Sequence, residues 1–327
     1  MENIIRIDDD INKRRSLAQQ LTTPSEVLRI LSQDQDKYTR MGVASNTSTE
    51  VDVLVSLAQG KNIDVRSAAA ENPNLPISIL RDLAKDQSRH VKCGVASNPS
   101  TPIELLELLS KNRDTFIRSA VASNPSTPIE VLKKLSMDED VVRQHVASNP
   151  STTFEILEDL AHDYHEYVRA AVAQNLATPA KLLELLVFDD VEFVRLELAK
   201  NPKLTPAILD ILNKVASDLE SASDPSASAD LLTSLSLSDY GDIRCEVARN
   251  PSTPTEILRN LSEEEFDSER QAVAENPSTP EDVLRVLAED DSEYVRGAVA
   301  ENPSTPEDVL RVLAEDDSEY VRIRVEE

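Results

Sequence analysis

The chain has 327 residues, with 34 Lys and Arg against 60 Asp and Glu, so its net charge is −26; it holds 3% aromatics, five Gly, two Cys and no Trp. Five glycines are too few for the phosphate-cradling loops of nucleotide-binding sheets or for a hairpin-rich β fold, whereas 40% hydrophobic residues suffice for a core and argue against a disordered acidic chain. No apolar run reaches the ~18 residues of a membrane span, and the opening MENIIRIDDD has neither the basic start nor the apolar stretch of a secretory signal.

The prolines reveal the organisation. Nine of the eighteen follow Asn or Asp, and nine close the next step, as in N-P-S-T-P. The residue before the first proline forms a column that includes Gln20, Asn46, Asn72, Asn98, Asn124, Asn149, Asn175, Asn201, Asp224, Asn250, Asn276 and Asn302. The spacing is 26 residues, except for 25 between Asn124 and Asn149 and 23 between Asn201 and Asp224. A fixed period in this range specifies a solenoid whose units pack mainly on their neighbours, so one continuous array replaces the two domains that length alone suggests.

In chain order, residues 1–20 read as an N-terminal cap half-repeat: Lys13 stands where later units carry Val, a polar replacement suited to a terminal unit. Residues 21–202 are regular repeats of the form VRxAVAxNPSTPxEVLxxLAxD. In each, Thr-Pro-x-Glu predicts a helix start, with Thr as cap, Pro in the first turn and an acid closing a capping box; Thr101 with Glu104 and Thr127 with Glu130 fit it. The apolar residues that follow, such as Leu105, Leu106 and Leu109, make a one-sided buried stripe. The second element is about two turns long and ends at Asn-Pro, because the residue before Pro is pushed out of the α region. This reads as an all-α superhelix of about twelve units, each an α-helix plus a short second helix, α or 3₁₀. Residues 203–240 are irregular, with Ser, Ala and Asp in place of the second element, and two readings stay open: a decayed repeat or a bend. Residues 241–327 are regular and acidic. From residue 251 onward there are 22 acids against 7 bases, a net −15, and residues 272–296 recur unchanged as 298–322.

VAxNPSTPxEVLxxLAxD, repeated along nearly the whole chain, resembles the leucine-rich repeat variant family, and DxxxxVRxAVA is also similar to HEAT repeats of the armadillo-like α-solenoids. The first resemblance implies a right-handed superhelix of units pairing an α-helix with a 3₁₀-helix. No Cys stands in the N-terminal stretch, so no iron–sulfur cluster is carried over.

Candidate chemistry is sparse. A repeated Arg, including Arg66, Arg118, Arg143, Arg270 and Arg296, could bind phosphates, but its regularity favours a structural Asp–Arg ladder between units. The Asn column reads as a second structural ladder, because an amide before Pro can bond backbone groups that the turn leaves free. His162 and His165 share a helical face, yet no third ligand lies near in sequence; neither a metal nor a cofactor is expected, and no catalytic constellation emerges. The isolated Cys93 and Cys245 suit a reducing cytoplasm.

Two residue sets could contact a partner. Two residues before the ladder Arg stand Tyr38, Phe116, Tyr167, Phe193, Tyr294 and Tyr320, alternating with Asp64, His90, Val141, Asp242 and Ser268. These rings either cover the turn or form an exposed peptide-binding track. Asp290, Asp291, Asp316 and Asp317 could steer a basic partner. The acidity argues against nucleic acid. The expectation is a non-enzymatic, cytoplasmic scaffold for a protein or peptide; the alternatives are an acidic decoy for basic partners or, behind it, a HEAT-like nucleic-acid-binding or cofactor-handling protein.

Overall fold

The computed structural model describes residues 10–326; residues 1–9 of the expected cap, and Glu327, lie outside the described residues. Among the described residues there are 24 helices and no strand, an all-α repeat solenoid. A typical unit has a first helix of seven residues, such as Ile103–Leu109, and a second of nine, such as Thr115–Ser123. The second helices are α-helical rather than 3₁₀, a correction to one of the two expectations. Small residues explain it. Ala and Gly at the contacts let successive second helices stack closely without distorting their hydrogen bonds: a Cβ on Gly94 would lie 2.7 Å from Ser67 O.

Two compact units divide the chain, Met1–Leu183 with Lys200–Lys203, and Glu184–Ala199 with Leu204–Glu327. In the first, the second helices from Ile11–Gln19 to Glu166–Gln174 each pack on the next, and Leu105, Leu106 and Leu109 are buried beneath the first helix. In the second, Gly241–Arg249, Asp267–Glu275, Glu293–Glu301 and Glu319–Glu326 stack in the same way.

The N-P-S-T turn is an inter-repeat clamp. Asn98 Nδ2 donates to Ala70 O at 2.6 Å and Asn72 O at 2.7 Å, both in the preceding repeat, while its Oδ1 accepts from Ser100 N at 2.8 Å. Ser100 Oγ donates to Pro73 O, again one repeat back. The same bonds recur at Asn124, Asn276 and Asn302. Thr does not cap as expected. Thr101 Oγ1 donates to Val95 O at 2.5 Å, and the helix starts at Ile103 with Pro102 as its N-cap. The carbonyls of a helix's last turn lack intrahelical partners, and they draw the hydroxyl backwards.

At the irregular repeat the pattern changes shape. One residue is added before Thr205 and the inter-helix turn is shortened, leaving no residue to break the helix. The two helices fuse into one of 18 residues, Pro206–Ser223. Here alone among the Thr-Pro steps with a described cap does Thr cap the helix, with Thr205 Oγ1 accepting from Ile208 N and Pro206 in the first turn.

Candidate functional site

The Arg ladder runs forward. Arg118 Nε and Nη2 donate to both carboxylate oxygens of Asp138 at 2.8 Å, and its Nη1 donates to Asn112 O and Arg113 O in the turn of its own repeat. Arg66 with Asp86, Arg143 with Asp163, Arg270 with Asp290 and Arg296 with Asp316 repeat the pairing. Each Arg thus fixes a turn and ties its repeat to the next. Burial alone would push the Asp138 carboxyl up, but the hydrogen bonds from Arg118 and the Glu139 amide outweigh it and hold the carboxyl below its usual range. Hydrogen bonding to Arg296 brings Asp316 down to about 2.

This geometry separates the four acids singled out in the sequence. Asp290 and Asp316 are ladder members with largely buried carboxylates. Asp291 and Asp317 are exposed, and Asp317 Oδ1 lies 3.2 Å from Arg296. Neutralising all four would therefore loosen the array as well as change its surface.

The aromatic column lies near the start of the second helices. In the first unit Tyr38, Phe116 and Tyr167 are exposed; in the second Phe193 and Tyr294 are exposed, while Tyr320 is half-buried against the core. Neighbouring cations orient several rings: the Arg15 guanidinium sits 4.8 Å from the Tyr38 ring centroid, and Arg89 lies at the same distance from Phe116. Gly297 explains the exception, because the space a Cβ would fill there is taken by the Tyr320 ring, which meets Tyr294 edge-on at 5.3 Å.

The two histidines do not converge. His165 Nε2 lies 3.0 Å from Asp140 Oδ2, whereas His162 Nδ1 meets Glu158 O. No group of three or more metal-binding side chains occurs among the described residues. Cys93 is half-buried and Cys245 buried, and burial pushes the Cys245 thiol up to about 11.

Sequence reasoning missed two features. The first is a column of exposed Val51, Ile77, Ile103, Ile129 and Phe154 at the start of first helices in the first unit; its signal was the apolar residue that recurs at the head of these helices. The second is a cavity of about 810 Å³ in the second unit, bordered by the fused helix, Gly241–Arg249 and the starts of Glu192–Leu198 and Asp267–Glu275. Nothing in the sequence announces a void left by a missing turn.

The family model described as leucine rich repeat variant matches residues 295–318. A solved structure titled "A leucine-rich repeat variant with a novel repetitive protein structural motif" is similar at 26% sequence identity, covering 58% of this chain and 82% of that chain, with a TM-score of 0.37. No curated protein matches the chain.

Proposed function

We propose that this chain of leucine-rich repeat variant repeats is a non-enzymatic scaffold that holds a protein or peptide partner along the stacked second helices within each of its units. The exposed aromatic column carries the reading. Five rings occupy one register position yet remain in solvent, and neighbouring cations hold two of them in fixed orientations. Rings ordered before binding lose little entropy when a partner covers them, and exposed aromatics are the residues that most often anchor interfaces. The ladder Arg and Asn side chains are consumed by structural bonds and offer no reactive group.

The acids support a basic partner. Asp291 and Asp317 are exposed on the turns beside the column, Asp317 with one oxygen also accepting from Arg296, and there they would accelerate encounter at low salt. No described helix is long and apolar enough to cross a membrane, and two unpaired cysteines suit a reducing cytoplasm.

A photo-crosslinking residue placed at Phe116 or Tyr294 tests the reading in extract of the source cell. Both positions should capture the same protein, and a crosslinker at the exposed Arg311 should not. Equal capture from all three positions, or none from the column, would remove the column as the binding track.

A further inference from the structure

The cavity in the second unit lies where the aromatic column is interrupted. Counting back eight residues from Asp224, Asn250 and Asn276, the column positions are Ala216, Asp242 and Ser268, and all three line the cavity. The flanking members on the same unit are Phe193 and Tyr294, both exposed rings. Three successive repeats thus lack the large side chain that would occupy this face.

The fused helix enlarges the gap. At its Arg-column position stands Asp218, which pairs with Lys214 four residues earlier. The position twenty residues on, where the ladder Asp stands in other repeats, is Val215 within the fused helix, and Arg195 instead reaches Asp242, 47 residues later, and stacks its guanidinium 5.0 Å over Tyr240. Arg244 is displaced from the usual pattern as well. Its Nη2 bonds Glu269 at 2.7 Å, and its buried Nε has no acceptor.

The lining is apolar with a negative rim. Val191, Leu219 and Phe266 contribute apolar surface, and Asp190, Glu192 and Glu220 bring carboxylates to it. The lining cations, Arg244 and Arg249, are both already engaged by acids, Arg244 by Glu269 and Arg249 by Glu246 and Glu275. Charge complementarity therefore selects a cation-flanked guest, and the missing rings leave room for one large apolar side chain.

We infer that this cavity is a specificity pocket that receives an aromatic side chain from a basic segment of a partner protein, with Asp190, Glu192 and Glu220 facing the flanking Lys or Arg. The inference rests on the scaffold reading and locates within it the position where a sequence is selected.

The test uses the full chain and two labelled pentapeptides, each with two Lys or Arg on either side of a central Phe or a central Ala. Fluorescence anisotropy should show the Phe peptide binding at least about tenfold more tightly, the worth of burying one ring. Ser268→Tyr and, independently, Ala216→Tyr fill the gap and should reduce that preference to less than about threefold, with thermal unfolding showing that each variant is folded. Phe116→Ala, in the other unit, should leave the preference intact. No preference in the parent protein, or a preference that survives both filled variants, overturns the pocket. A preference abolished by Phe116→Ala but untouched by Ser268→Tyr would also overturn it while supporting the column, and crosslinking that fails at both 116 and 294 would instead count against the scaffold reading.

Discussion

Replacing Asn98 tests the clamp that joins the repeats. Asn98 is fully buried, and its side chain makes three hydrogen bonds, two of them to carbonyls of the preceding repeat. Asn72 O keeps a second donor in Leu75 N. Ala70 O is worse placed, because the amide four residues on, Asn74 N, already donates to Asn72 Oδ1. Three lost bonds at ~1 kcal/mol each, plus ~1 kcal/mol or more for a carbonyl left buried and unpaired, put Asn98→Ala at about 3–5 kcal/mol. Asn98→Asp should be worse at pH 7 by about 1–3 kcal/mol, because it sets a carboxylate against two carbonyl oxygens in a buried site. That introduced carboxyl has a folded pKa above its unfolded value of ~3.9. Its penalty is therefore full at neutral pH and falls as pH drops through the raised value, where the protonated acid can donate one bond. Urea unfolding followed by circular dichroism, compared with the parent at each pH, reads both effects. An Asn98→Ala protein within 1 kcal/mol of the parent, or an Asp variant more stable than the Ala variant at pH 7, would refute the clamp.

The Arg ladder predicts an acid-sensitive window. Its Asp carboxyls have lowered folded pKa values, so their contribution is present above the unfolded pKa of ~3.9 and is lost as pH falls through the folded values, with Asp316 last at about 2. Arg118→Ala should cost ~1–3 kcal/mol at pH 7, between an exposed pair and a fully buried one, since Asp138 is 19% exposed. That cost should shrink on acidification; a pH-independent cost by urea unfolding would show that Arg118 acts through packing and its backbone bonds alone. Gly94→Ala should lower stability by ~1–3 kcal/mol despite the better helix propensity of Ala, because the new Cβ would lie 2.7 Å from Ser67 O and 3.0 Å from Ala70 Cβ. A higher melting temperature for that variant would show that the stacked helices are not held at close approach.

The repeat period, the buried Leu and Val stripe and the Arg and Asn ladders were legible because each is a local pattern copied many times. Their geometry was less so. Thr101 sits at a sequence position that suits a cap for the following helix, but the Val95 carbonyl, whose α-helical donor position is taken by Pro99, competes for the same hydroxyl and wins. The ladder's direction was hidden for a similar reason. Asp290 precedes Arg296 in sequence, yet the Arg296 fork grips Asp316 in the next repeat and takes only a backbone carbonyl from Asp290. Spacing along the chain reports which residue types recur; the stacking of one repeat on another decides which copies meet.

That division bears on where function resides. In the regular repeats Asn, Ser, Thr, Arg and Asp are engaged by bonds that recur with the period, so changing any of them perturbs folding before it alters recognition. The freedom to vary lies at the exposed second-helix positions, where Tyr38, Asp64, His90 and Phe116 follow one another at equal intervals on helices that stack identically. On the proposed reading, ligand preference would change by substitution along one column while the clamps stay constant. The irregular repeat adds a second route. Shortening one inter-helix turn fused two helices, redirected Arg195 to Asp242, and left a concave site on a face otherwise set with rings. Column residues alone offer shallow contact and weak discrimination, whereas a cavity that encloses a side chain rejects those that do not fill it. On the proposed reading, extent of contact would come from the column and selectivity from the cavity.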